Sequence, residues 1–244
     1  RFWVSTADQE PIFSFDDIIK WITSLKNKYE LNVQQIPLSE INEWIIDEVA
    51  IYHKERKYFS VIAAEIEISS REVTYWMQPM VKQSQEGIIA FIVKKINGIV
   101  HFLIQAKLEC GNFDIIELAP TVQTLTGNYK DTIKGSLPYL EYVLNASKDQ
   151  IKYDTYQSEE GGRFYKEQNR NLIIEADADF ELETPEEYTW MSLNQLQTFF
   201  KQRFTLNRRL GFAGEGLIRR FAASAGFKEH EKPSPSATKS KCRE

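Results

Sequence analysis

The sequence predicts an α+β protein, a central antiparallel or mixed sheet with helices around it. Three observations predict it. Asn97-Gly98 lies between two β-rich runs, 88–96 and 99–108. Such a pair meets the positive φ that a type I′ hairpin turn needs at both central positions. Capping boxes stand near both ends of the chain, Ser14 with Asp17 and Ser192 with Gln195. Between them, from Tyr58 onward, the apolar period changes from helical to alternating.

Residues 1–13 read as an arm anchored by Trp3 and Phe13. Ser14 then caps a helix to about Tyr29, whose stripe is Ile18, Ile19, Ile22 and Leu25. Val33 to Ile36 reads as a short strand or link ended by Pro37. Ser39 is expected to cap a second helix carrying Ile41, Trp44, Ile45 and Val49. Residues 59–68 form a β-branched, partly alternating strand. Residues 74–78 form another, which Pro79 is expected to close. After the hairpin a strand is expected over 114–118, beyond a turn at Gly111-Asn112. Ser136 and Pro138 mark a helix start ahead of Leu137, Leu140, Val143 and Leu144. A strand is expected over 171–176, and a short helix follows Ser192 with Leu193, Leu196, Phe199 and Phe200 inward. After Gly226 the composition turns to Lys, Glu, Ser and Pro, as in a disordered or artificially appended tail.

Composition narrows the function. Of 244 residues, 42% are hydrophobic and 13% aromatic, enough for a real core. The net charge of −5 argues against a nucleic-acid binder held by phosphate contacts. Two distant cysteines, Cys110 and Cys242, make neither a disulfide framework nor a zinc spacing, and point to a reducing, cytoplasmic compartment. The longest apolar runs are too short to span a membrane, and no signal peptide is visible.

Three constellations carry candidate chemistry. Gln105, Lys107 and Glu109 share one strand face with His101 and Leu103, because alternate residues do. The wet side of an antiparallel sheet has the same pattern, and spacing alone favours it. The company favours a ligand: Gln78, Gln83, Gln85, and Gln123 within APTVQ suit hydrogen bonding to a sugar or phosphate. The second constellation is QSEEGGRFY at 157–165. Glu159 and Glu160 could bind a metal, pair with Arg163 or hold a general base, although a solvated turn with an exposed ion pair is the commoner outcome for these residue types. In the third, Arg163 and Arg170 with Asn169 and Asn171 suit a diphosphate, since a guanidinium donates two parallel hydrogen bonds. Arg208 and Arg209 are further anion candidates, and a solvated helix end suits them at least as well. Tyr129 is the tyrosine best placed for function, in a polar loop. His53 and His101 read as structural.

Taken in order, WMQPM, GIIAFIVKKINGIVHFLIQAKLECGN, LAPTVQ, PYLEY, QSEEGGRFY, NRN and MSLNQL resemble the NDP-hexose 2,3-dehydratases of deoxysugar biosynthesis, over about residues 3–212. That family's enzymes are usually about twice this length, two related halves each with a Nudix-like fold. The resemblance implies a Nudix-like mixed or antiparallel sheet flanked by helices. It divides the chain into a helical segment at 1–57 packing on the core, a nucleotide-sugar domain at 58–225 and a tail at 226–244. It implies a dTDP-linked 4-keto-6-deoxyhexose as substrate, with no metal and no cofactor. A base takes the C3 proton, an enolate develops on the C4 oxygen, and the C2 hydroxyl leaves as water. For these roles Glu109 or Glu160 is the expected base, and Tyr129 or Lys107 the acid or enolate stabiliser. Gln78, Gln105 and Gln123 are expected on sugar hydroxyls, Arg163 and Arg170 on the diphosphate. Asn112, Thr121, Asn128, Gln157, Ser158, Glu159 and Asn169 complete the expected substrate contacts. The implied partners are a second copy of the chain and a downstream NAD(P)H-dependent 3-ketoreductase. One alternative is a non-catalytic nucleotide-sugar-binding half. A Nudix-type diphosphatase is a weaker one, because the carboxylates of a full Nudix box are not there.

Overall fold

The computed structural model describes residues 10–112, 114–125 and 137–202. Asn128, Tyr129, Arg208 and Arg209 lie outside them. Eleven strands form two sheets among the described residues: β1 Trp44–Ile46, β2 Ala50–His53, β3 Phe59–Glu67, β4 Tyr75–Gln83, β5 Gly87–Ile96, β6 Ile99–Leu108, β7 Ile116–Ala119, β8 Val122–Leu125, β9 Ile151–Ser158, β10 Gln168–Glu175 and β11 Tyr188–Ser192. The helices are α1 Phe15–Lys28, α2 Leu140–Leu144 and α3 Leu193–Gln202. The first sheet has order β1-β2-β3-β4. The second has order β11-β6-β5-β10-β9, with β7 on β6 and β8 on β5. Its β5–β10 pairing is parallel and its other pairings antiparallel, so it is the mixed sheet of an α+β fold.

The local signals at both ends hold. Ser14 Oγ accepts from the Asp17 N–H at 3.1 Å and Asp17 accepts from the Ser14 N–H at 3.0 Å. Ile18, Ile22 and Leu25 then bury one stripe of α1, each worth about 1.5–3 kcal/mol. Ser192 and Gln195 cap α3 in the same reciprocal way. Asn97 at φ 50° and Gly98 at φ 85° make the expected hairpin turn.

Other expectations are corrected. The helix expected after Ser39 is one 3₁₀ turn, Leu38–Glu40, followed by the β1–β2 hairpin. The β-branched and aromatic residues of 44–52 favour strands, pairing with β3 secures them, and Asp47 closes the turn by accepting the N–H groups of Val49 and Ala50. The stretch Val33 to Ile36 is a link, not a strand. Pro79 does not end β4, which runs through it to Gln83. At the edge of its sheet a proline's missing N–H costs no interior ladder bond. The strands β8, β9 and β11 have no counterpart in the sequence reading; β8 and β11 are four or five residues long with no clear alternation.

One feature positions the site. Strands β5 and β6 pair only over Val93–Ile96 and Ile99–Phe102, then diverge. β8 takes over the partnering of Gly87–Ala90, and β7 that of Gln105–Leu108. Thr121 fills the fork. Its Oγ accepts from the Ile92 N–H at 2.9 Å and its hydroxyl donates to the Leu103 carbonyl. Fully buried and doubly bonded, Thr121 holds the sheet together; as a substrate contact it is corrected.

His101 is also structural. Fully buried, it accepts from the Ile12 N–H at 3.3 Å through Nε2 and meets the Ile99 carbonyl at 3.1 Å through Nδ1. Burial holds its pKa below the ordinary histidine range.

Candidate functional site

The second sheet has two faces with separate cores. Phe102, Ile104 and Ala106 face the core under α1 and α3; Leu103 faces the core under α2 with Tyr188 and Trp190. By alternation Gln105, Lys107 and Glu109 continue the Leu103 face. Lys107 Nζ lies 2.6 Å from Glu109 Oε1 and donates to the Gln123 main-chain carbonyl at 3.3 Å. Directly across from Lys107 is Glu117 on β7, only 6% exposed. The sequence reading missed it, although a lone carboxylate inside the apolar run IIELA was the available signal. Gln105 is flanked by Ala119 and Tyr188. The buried Tyr188 hydroxyl has no hydrogen-bond partner, and burial pushes its pKa up, so the phenol keeps its proton.

The other face carries the more deeply buried polar row. Glu167, Asn169 and Asn171 are 7%, 1% and 0% exposed, while Lys166 and Gln168 are exposed. This alternation puts the three on one face with Ile173, which joins the α1-side core. Asn169 stands in register between Gln157 and Gly87; Asn171 stands between Thr155 and Ile89, with Gln123 beyond Ile89. Gln123 and Lys107 therefore present their side chains on opposite faces, a correction to their expected grouping. Asn169 Nδ2 donates to Glu159 Oε1 at 2.6 Å, and Asn171 Nδ2 to the Asn169 carbonyl at 2.9 Å. With their amide nitrogens so fixed, Asn169 Oδ1 and Asn171 Oδ1 have no donor, and neither has Gln123 Oε1. Each unmet buried acceptor costs about 1–3 kcal/mol, so the row is built for a ligand or water that brings hydrogens.

Gly87 is what admits this row. A Cβ there would overlap Asn169 Oδ1. Gly87→Ala is therefore expected to displace the Asn169 carboxamide and weaken ligand binding at least tenfold, with a smaller fall in melting temperature. Calorimetric titration beside a thermal melt checks this, and unchanged affinity removes Asn169 from the site.

The remaining candidates lie elsewhere. Glu160 holds Arg163 at 2.8 Å with both side chains more than half exposed, as in a solvated turn. Gln78 is occupied at both ends, accepting from Trp76 Nε1 at 2.7 Å and donating to the Gly162 carbonyl at 2.6 Å. With the Val81–Arg163 and Tyr165–Val81 main-chain bonds, this ties β4 to the 159–165 turn. Arg170 forms a two-pronged pair with Asp154 at 2.9 and 2.7 Å, which holds the Asp154 carboxyl below its usual range. It lies one residue off the buried row, as does exposed Ser158. Asn112 sits in the turn after β6, its N–H bonded to the Glu109 carbonyl at 3.1 Å. Glu109, Glu160, Arg163, Arg170, Ser158 and Gln105 are thus not gathered around the Asn169–Asn171 row; Gln123, Gln157 and Glu159 are.

The mixed sheet and its buried amide row define a class: an α+β protein whose sheet carries a row of buried acceptors without donors. The model of the family described as NDP-hexose 2,3-dehydratase matches residues 15–210, and the chain belongs to that family. A Streptomyces violaceoruber protein named dTDP-4-dehydro-6-deoxy-alpha-D-glucopyranose 2,3-dehydratase is 41% identical, over 78% of this chain and 43% of that protein. A Saccharopolyspora spinosa protein of the same name is 38% identical, over 80% and 40%. The chain spans about two fifths of the length of these curated relatives. Among solved structures, a Nudix hydrolase from M. Smegmatis, RenU, matches with TM-score 0.35 and 14% identity, over 66% of this chain and 96% of that one. At that level the likeness carries no argument about this protein.

Proposed function

We propose that the chain is a dTDP-4-keto-6-deoxyhexose 2,3-dehydratase, a carbon–oxygen lyase of deoxysugar biosynthesis. The observation that carries this is the shared name of relatives 36–41% identical over about four fifths of the chain. The C3 hydrogen is acidic because it is α to the C4 ketone. Its removal sends charge to the C4 oxygen, the C2 hydroxyl leaves as water, and the resulting enol becomes a 3,4-diketo-2,6-dideoxy sugar nucleotide. That product is a substrate for an NAD(P)H-dependent 3-ketoreductase.

In this reading Gln123, Gln157, Glu159 and Asn169 hold the sugar from the buried face. The Lys107 side chain leaves the opposite face, but its ammonium reaches the main-chain oxygen of Gln123 at the strand edge, and from that edge it balances charge developing on the C4 oxygen. Gln105, Glu109 and Asn112 are further substrate contacts in this reading, as are Asn128 and Tyr129 from outside the described residues, and Arg163 and Arg170 serve the diphosphate by exchanging their carboxylates for it. We further propose a homodimer in the cytoplasm. Exposed apolar residues on the first sheet, Val49 and Met77 above all, support the pairing. No helix among the described residues is long and apolar enough to cross a membrane.

The test is incubation with dTDP-4-keto-6-deoxyglucose in heavy water, with a 3-ketoreductase added. Deuterium in the sugar and loss of the C2 oxygen are expected. Tight binding without either would leave a non-catalytic sugar-nucleotide binder. Magnesium-dependent release of nucleoside monophosphate would make the chain a hydrolase.

A further inference from the structure

We propose that Glu167, which no motif singled out, is the carboxylate that takes the C3 proton, and that Asn169, Asn171 and Gln123 accept hydrogen bonds from the sugar hydroxyls. This deepens the dehydratase reading and rests on it.

The two carboxylates expected for the base are poorly placed. Glu160 lies on an exposed turn against Arg163, and Glu109 is paired with Lys107 at a half-exposed strand end. A base for a carbon acid works best where water is excluded. Glu167 is 7% exposed and continues the column of Asn169 and Asn171. Its main-chain oxygen accepts from the Glu159 N–H at 3.0 Å, so it extends the β9–β10 ladder by one pair and is held by two strands. A rigid strand sets a reacting group more tightly than a turn does.

The amide oxygens are the second, independent observation. Three acceptors at least nine-tenths buried and without donors lie on the same face. Asn171 and Gln123 are two strands apart across Ile89, about 10 Å at the usual strand spacing. A pyranose ring laid over Ile89 spans that gap and offers hydroxyl hydrogens to both sides. A cation would meet the same oxygens, but the two amide nitrogens fixed beside them favour a neutral polyol.

The step balances. The Glu167 carboxylate takes the C3 proton, and the C3–H electrons move toward the C4 oxygen. As the charge returns, the C2–O bond breaks and Glu167 gives its proton to the departing hydroxyl, which leaves as water. The enol then loses its hydroxyl proton and gains one at C2, both exchanged with solvent.

Glu167→Gln in the full chain is the test. Loss of C3 exchange and of C2 deoxygenation by at least 10³-fold is expected, with affinity for dTDP-4-keto-6-deoxyglucose within threefold of the parent. Parent-like exchange in this variant overturns the role of Glu167. Should Glu167→Gln fail to fold, Glu167→Asp retains the charge one carbon short; a 10-fold or greater loss of exchange at an unchanged melting temperature is expected, and no loss overturns the assignment. Asn171→Leu tests the sugar contacts apart from catalysis. It is expected to weaken the sugar nucleotide at least tenfold and leave dTDP itself unchanged. Equal weakening of both, or of neither, overturns the sugar seat. A parent chain that binds the sugar nucleotide but neither exchanges nor dehydrates it fails the dehydratase reading itself, and the Asn171→Leu comparison then still decides where the sugar lies.

Discussion

Replacing Lys107 by methionine is expected to lower kcat by about 10²–10³-fold, the range seen when one preorganised donor to a developing oxyanion is removed. KM for the sugar nucleotide should change little, because the charge that Lys107 balances appears in the transition state, not in the bound ketone. The fold should survive. Lys107 is partly exposed, and its pair with Glu109 is a surface-type contact worth at most about 1 kcal/mol. Methionine keeps most of the apolar stem against the sheet. The measurement is steady-state kinetics beside a thermal melt. A kcat within threefold of the parent would remove Lys107 from the chemistry. A matching collapse of the melting temperature would make its role structural.

The second large effect is on stability. Trp190→Ala is expected to cost about 3–5 kcal/mol, read as a fall in denaturation midpoint with little change in slope. Trp190 is 1% exposed at the centre of β11, in the core under α2. Its indole N–H donates to the Leu182 carbonyl at 3.1 Å, and its ring meets Phe180 edge-on. Truncation leaves a void the sheet cannot close, and it orphans that carbonyl. Trp190→Phe should recover more than half of the loss, since it refills the void without the hydrogen bond. A loss under 1 kcal/mol in Trp190→Ala would mean that β11 is not integral to the sheet.

Much of the fold was legible because its signals are local. A hairpin needs two residues that tolerate positive φ, and Asn97-Gly98 states that need in two letters. A capping box is complete within four residues, so Ser14 and Ser192 announced their helices. The errors fell where local preference is weak or overruled. At 41–49 a helical stripe and a β-branched run overlap, and pairing with β3 settles the matter. Pro79 breaks only a strand that has neighbours on both sides.

The candidate site was legible as a set of residue types but not as an arrangement. Gln123 and Lys107 stand near each other in the fold, yet the alternation of two different strands sends their side chains to opposite faces. Thr121 read as a ligand contact because its motif is polar, while its hydroxyl bridges a fork between strands distant in sequence. Glu117 and Glu167 passed unnoticed because a single carboxylate carries no local mark of burial.

The sequence by itself determined the α+β class, the central hairpin, the two capped helices and the family. Each depends on short-range backbone preference or on an ordered series of motifs, and both are written along the chain. Only the tertiary structure decided which carboxylates are buried, which amides lack donors and which face each occupies. Those properties belong to strand register, and register is fixed by what every other strand does with its own apolar side.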